Sequence, residues 1–125
     1  MIHLDTSVLI DAFTTRRRSL ARVRAALGEG EPLNISAIVL FEWVRGPRRS
    51  EELAVVNALF PPDEVVVFAA AEASRAAEVY RRIPRARARA VDIAIAACAL
   101  THKARLWTLN PEDFEDIPGL LLYRI

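Results

Sequence analysis

At 125 residues, 53% hydrophobic and 26% charged, the chain has room for one domain (1–125) with one core, and its composition excludes a disordered polymer. No apolar stretch is long enough to span a bilayer, no leader pattern opens the chain, and the lone Cys98 excludes an internal disulfide and a cysteine-based zinc site, so a cytoplasmic protein without membrane contact is expected. A net charge of +1 makes no overall case for a polyanionic partner.

In chain order, Ile2-His3-Leu4 is a short apolar strand stopped by Asp5-Thr6-Ser7, good helix N-cap types, with a short helix from Val8 to Phe13. Ser19–Leu27 has helical spacing in Leu20, Val23 and Leu27, and the segment 28–32 breaks it. Leu33-Asn34-Ile35 alternates as a second strand. Ser36 then caps a helix through Ile38, Leu40, Phe41 and Val44 to the breaker Gly46-Pro47. A further helix covers 51–59 and ends at Pro61-Pro62. The β-branched run Val65–Phe68 predicts a strand buried on both faces. Residues 70–83 are helical, with Pro84 closing them, and 90–102 form an alanine-rich helix. Leu106–Leu109 is a strand, Asn110-Pro111 a turn, and Leu120–Tyr123 a last short strand. Strands alternating with helices predict an α/β fold: a three-layer α/β/α sandwich around a parallel sheet of four to five short strands.

In such a sheet, ligands gather beyond the carboxyl ends of the strands, and four acids compete for attention there. Asp5 ends the first strand, where it is either a helix N-cap or a site residue. Glu42 sits between apolar neighbours in Ile38–Val44, on a solvated stripe or buried with a partner. Asp92 lies in a helix that is apolar on every face from Val91 to Leu100, where an acid needs an arginine or a cation. Asp113 comes after the Leu106–Asn110 run and is either a first-turn helix cap or a fourth acid at the same edge.

Three carboxylates about 5 Å apart repel by roughly 3 kcal/mol per pair at an effective dielectric of ~20, more than a marginally stable domain tolerates without cations. Oxygen ligands with no Cys or His pair select Mg²⁺ or Mn²⁺ over zinc, and such ions carry out phosphodiester hydrolysis.

The opening Ile2-His3-Leu4-Asp5-Thr6-Ser7-Val8-Leu9-Ile10 resembles that of the PIN-domain family. The order of the later motifs is similar too: a Glu near 42 on the third helix, an Asp before Ile-Ala-Ala, then Leu-x-Thr-x-Asn-x-x-Asp-Phe. The similarity covers essentially the whole chain, at a length that suits VapC-type toxins of toxin–antitoxin pairs. It implies a Mg²⁺- or Mn²⁺-dependent endoribonuclease, commonly a homodimer, held in check by a cognate antitoxin. Carried over by position, Asp5, Glu42 and Asp92 match the family's three acids and Thr108 its supporting hydroxyl, with Ser7 beside Asp5. The family often has Asp where this chain has Asn110, so either Asn110 or Asp113 completes the catalytic and metal-binding set.

The arginines are 16 against one lysine. Residues 16–24 hold five with no acid, and 81–105 hold another run around Asp92. They are phosphate contacts or solvated helix faces; Arg85, Arg87 and Arg89 are the RNA-contact candidates. Trp43, Trp107 and Phe41 read as core, and Cys98 as a small core residue. A dehalogenase-like phosphotransferase fails because it wants a second acid where Ser7 stands. The remaining rivals are a housekeeping RNA-processing nuclease of the same fold, or an inert fold that only binds RNA or protein.

Overall fold

β1 (Ile2–Leu4) is short, yet all three of its side chains are buried. Neighbours on a strand point to opposite faces, so the sheet is covered on both sides and the three-layer arrangement results. The computed structural model describes residues 1–14 and 17–124; Arg16 of the first arginine run lies outside the described residues. β1 is the middle strand, with β2 (Leu33–Asn34) and β3 (Arg105–Trp107) on either side in the order β2-β1-β3, all parallel. The register sets Ile2 beside Leu33 and Arg105, and Leu4 beside Trp107.

Among the described residues six α-helices connect and cover these strands: α1 (Thr6–Phe13), α2 (Leu20–Gly28), α3 (Ala37–Arg45), α4 (Ser50–Leu59), α5 (Ala70–Tyr80) and α6 (Ala90–Thr101). Their starts reflect local chemistry. Ser36 accepts the Val39 N–H at 3.2 Å to cap α3, while Glu52 and Glu72 reach back to the N–H groups of Arg49 and Ala69 at 2.8 and 3.0 Å. α1 packs on α2, α3 and α4, and α5 packs on α6, which also touches α3 and β3. Ile2, Leu4, Leu9, Ile35, Ile95 and Leu106 are fully buried at the centre, each worth roughly 1.5–3 kcal/mol of burial.

Two expected strands shrink to single bridges. Val66 meets Ser36 in one parallel bridge, held by Val66 N–H to Ile35 O (3.0 Å) and Ala37 N–H to Val66 O (2.8 Å). Val67 and Phe68 are 60% and 37% exposed, so Val65–Phe68 is an edge segment, not a doubly buried strand. It lies outside β2, where no further strand among the described residues covers it. Leu122 likewise forms one parallel bridge with Leu106. The regular sheet therefore has three strands among the described residues, rather than four or five. α5 ends at Tyr80, before the 83 expected, and Phe41 is 58% exposed on α3 rather than in the core.

Candidate active site

The carboxyl ends of β1 and β3 lie side by side, tied by the Asp5 N–H bond to Trp107 O at 2.8 Å. This brings residue 5 and residues 108–110 together from opposite ends of the chain. Asp5 occupies the N-cap position of α1 with extended backbone, but its side chain makes no capping bond. Its Oδ2 instead accepts the hydroxyls of Ser7 (2.9 Å) and Thr108 (2.8 Å). The same two hydroxyl oxygens accept the backbone N–H groups of Leu109 and Asn110, each at 3.0 Å. Asp5, only 6% exposed, is thereby oriented by a small hydroxyl network, and among the described residues Oδ1 has no bond. An N-cap role would have spent the carboxylate on α1. The fold spends two hydroxyls on the carboxylate.

Glu42 faces the same region from α3. Thr6 donates its hydroxyl to Oε1 at 2.6 Å, and Arg45 donates to Oε2 at 3.3 Å. Asp92 sits in the first turn of α6, half-buried, and its carboxyl is pushed up from 3.8 to about 6. Burial is the largest cause, followed by the negative charges of Asp5, Asp113 and Glu42, with Arg89 opposing them. Asp113, exposed in the 3-10 turn Pro111–Asp113, thus acts on Asp92, while Asn110 is engaged through its backbone N–H.

The arginine partner left open for Asp92 is absent among the ion pairs of the described residues. Arg89, three residues earlier, is committed elsewhere. It grips Asp116 with both terminal nitrogens (2.9 and 2.6 Å), and reaches the carbonyls of Pro84 (3.2 Å) and Asp113 (3.0 Å). With its side chain 16% exposed, Arg89 is a clamp between the start of α6 and the Asp113 turn, and is not open to a phosphate. Arg85 and Arg87 remain exposed.

Thr6, Arg45 and the Arg89–Asp116 clamp were missed from sequence. The Glu42–Arg45 spacing of i,i+3 was a usable signal; nothing local marked Asp116.

As placed, no three His, Cys, Asp or Glu side chains among the described residues surround one point closely enough to hold a metal ion. The negative charges of Asp5, Asp113 and Glu42 nevertheless add to burial in moving Asp92 toward neutrality. An all-oxygen set concentrating negative potential on one carboxyl fits a hard divalent cation.

A family model described as PIN domain matches residues 2–120. Among solved structures, the fold is similar to a chain of VapBC2 from Rickettsia felis bound to a DNA fragment from their promoter, with 25% identity and a TM-score of 0.76 over 98% of both chains. It is similar to DNA-bound VapBC from Salmonella typhimurium, with 26% identity and a TM-score of 0.76 over 98% of this chain and 96% of that one. A toxin–antitoxin complex from Klebsiella pneumoniae matches with 25% identity and a TM-score of 0.70 over the whole of both chains. No curated protein matches the sequence.

Proposed function

This chain belongs to the PIN-domain family, and on that premise we propose that it is a metal-dependent endoribonuclease, the toxin of a VapBC-type toxin–antitoxin pair. The observation that carries the reading is the Asp92 carboxyl, raised by burial and by three other acids brought in from β1, α3 and the 111–113 turn. A structural ion pair would have lowered it.

Asp5, Glu42, Asp92 and Asp113 are the residues that would hold Mg²⁺ or Mn²⁺. Bound there, such an ion would supply polarisation of a phosphoryl oxygen and activation of a water near neutral pH. The chain's own contribution is orientation. Ser7 and Thr108 fix the Asp5 carboxylate through Oδ2, Thr6 fixes Glu42, and Arg89 fixes the turn that carries Asp113. We assign the fourth place to Asp113 over Asn110, because the Asp113 charge is felt at Asp92.

The substrate is single-stranded RNA, and Arg85 and Arg87, both exposed just ahead of α6, are the residues that would meet its backbone. Protein partners, a cognate antitoxin and a second copy of the chain, are supported by apolar exposure on α3 and α4, where Phe41, Val44, Val55 and Leu59 are 58%, 54%, 46% and 38% exposed. No helix among the described residues is long and apolar enough to cross a membrane.

The test is cleavage of an unstructured RNA by the purified protein in Mg²⁺ or Mn²⁺, with and without EDTA. Internal cuts that EDTA abolishes are expected. RNA left intact at every metal concentration, by protein freed of antitoxin, would overturn the reading.

A further inference from the structure

Leu122 bridges Leu106 in parallel, with Leu106 N–H donating to Leu121 O at 2.9 Å and Tyr123 N–H to Leu106 O at 2.7 Å. A parallel neighbour leaves the sheet at the same end, so Tyr123 and Arg124 emerge at the carboxyl edge where Asp5 and Thr108 stand. There they wall a cleft of about 260 Å³ that is closed by Arg22 of α2, Thr108, Leu109 and Pro111. Thr108 is common to the two places: its hydroxyl donates to Asp5 and the residue lines the cleft.

Among the described residues the lining carries two guanidinium groups and no carboxylate. Arg22 has no ion-pair partner among the described residues. Arg124 faces Glu115 at 3.6 Å with both side chains largely in solvent, 66% and 56% exposed, a pairing that exchanges easily for another anion. The apolar part is a wall, not a plug. Leu109 is 43% exposed at the mouth, and Tyr123 is braced on Trp107 with ring centroids 5.0 Å apart. The cleft on the other flank of the 108–113 segment is different in kind. It sets Arg85 and Arg89 against Glu112, Asp113 and Asp116, and Arg89 is already spent on Asp116.

We propose that the Arg22–Arg124 cleft is a nucleotide subsite, which takes one unit of a single-stranded RNA beside the phosphate under attack. Arg22 and Arg124 meet backbone phosphate, and the base lies against Leu109, Pro111 and the Tyr123 ring. A volume just under the ~300 Å³ at which pockets for whole small ligands begin suits one nucleotide of a strand passing through. The combination of cationic rim and flat apolar wall is what a single strand uses without sequence readout. The subsite rests on the ribonuclease reading.

The experiment titrates the protein in EDTA with a fluorescent oligouridylate at several KCl concentrations, checking that the RNA stays intact. Each phosphate contact to a single strand contributes roughly 0.7 to the slope of log affinity against log salt. Arg22→Gln and Arg124→Gln should therefore each flatten the slope by roughly 0.7, and together by about 1.4, with unchanged melting temperature. Arg81→Gln, outside the cleft, should leave it alone. Leu109→Ser should weaken binding of the oligouridylate about 5-fold while leaving an abasic ribose-phosphate oligomer bound as tightly as before. Slopes unchanged in both arginine variants overturn the subsite, as does equal loss of the abasic and base-bearing oligomers on Leu109→Ser. If the wild type also fails to cleave RNA in an EDTA-sensitive way, the ribonuclease reading has failed. If it cleaves normally, the subsite alone has.

Discussion

Asp92→Asn keeps the shape of the side chain and removes the charge on which the charges of Asp5, Asp113 and Glu42 act. The rise from 3.8 to about 6 is about 2 pH units, which at ~1.4 kcal/mol each is ~3 kcal/mol for a fully enclosed carboxyl. Solvent reaches half-buried Asp92, and screening cuts the figure to about 1–2 kcal/mol. The direction of the shift sets the sign. A carboxyl raised on folding stabilises the fold below about pH 4, and that contribution is lost as pH rises through about 6. At pH 7.5 in EDTA the wild type therefore carries the full penalty. The Asn variant should melt higher by about 3–8 °C for a domain of this size, and the gain should vanish near pH 4. In Mg²⁺ or Mn²⁺ the order should invert. The wild type gains stability with metal concentration, while the variant gains little and loses RNA cleavage at least ~100-fold. A variant that melts lower in EDTA and still cleaves RNA would refute the reasoning, because both halves would then have the wrong sign.

Arg89→Met should unfasten the Asp113 turn, costing about 1–3 kcal/mol for the lost charge-assisted bonds and exposing the amides of residues 113–117 to faster hydrogen exchange. Arg89→Lys should not rescue it, since an ammonium cannot fork onto Asp116; normal protection in Arg89→Met would dismiss the clamp. His3 is buried with both ring nitrogens unpartnered among the described residues. Burial, then His102 and the N-terminal amine, lower it from 6.5 to about 4, so it stays neutral in the fold. Its contribution is complete above about pH 6.5 and is lost as pH falls through about 4, opposite to Asp92 across the same window. His3→Leu should thus leave a fold that grows more stable from pH 6.5 to 4, as read by urea unfolding at each pH. A curve parallel to the wild type's would show that His3 carries a proton or a partner in the native state.

What the sequence made legible was the part of the fold that is buried on its own account. Ile2–Leu4, the Ser36 cap, the alanine-rich helix that starts at Ala90 and the breaker at Gly46-Pro47 all report local chemistry, and the structure keeps them. Val65–Phe68 misled because β-branched runs mark strand propensity without saying how many neighbours the strand will have. Among the described residues only Ser36 pairs with it, so Val67 and Phe68 stay exposed. Phe41 misled for a related reason. It is part of a stretch of α3 in which Glu42 is the one polar residue before Arg45, and so sparse a polar pattern does not say which face turns inward; Val39 and Trp43 turn in, while Phe41 and Val44 do not.

The acids were legible through a contradiction rather than a pattern. Asp92 stands in a helix with no polar face to put it on, which marks it before any partner is in view. The supporting residues carry no such contradiction. Thr6 looks like one more N-cap hydroxyl, and its bond to Glu42 depends on α1 lying against α3, a packing fact 36 residues away. Asp116 looks like a surface acid until Arg89 is seen to hold it. The asymmetry is physical. A residue that breaks the local rule for burial must be compensated in three dimensions, and so announces a site. A residue that does the compensating obeys every local rule, and it can be found only where the chain has already been folded around it.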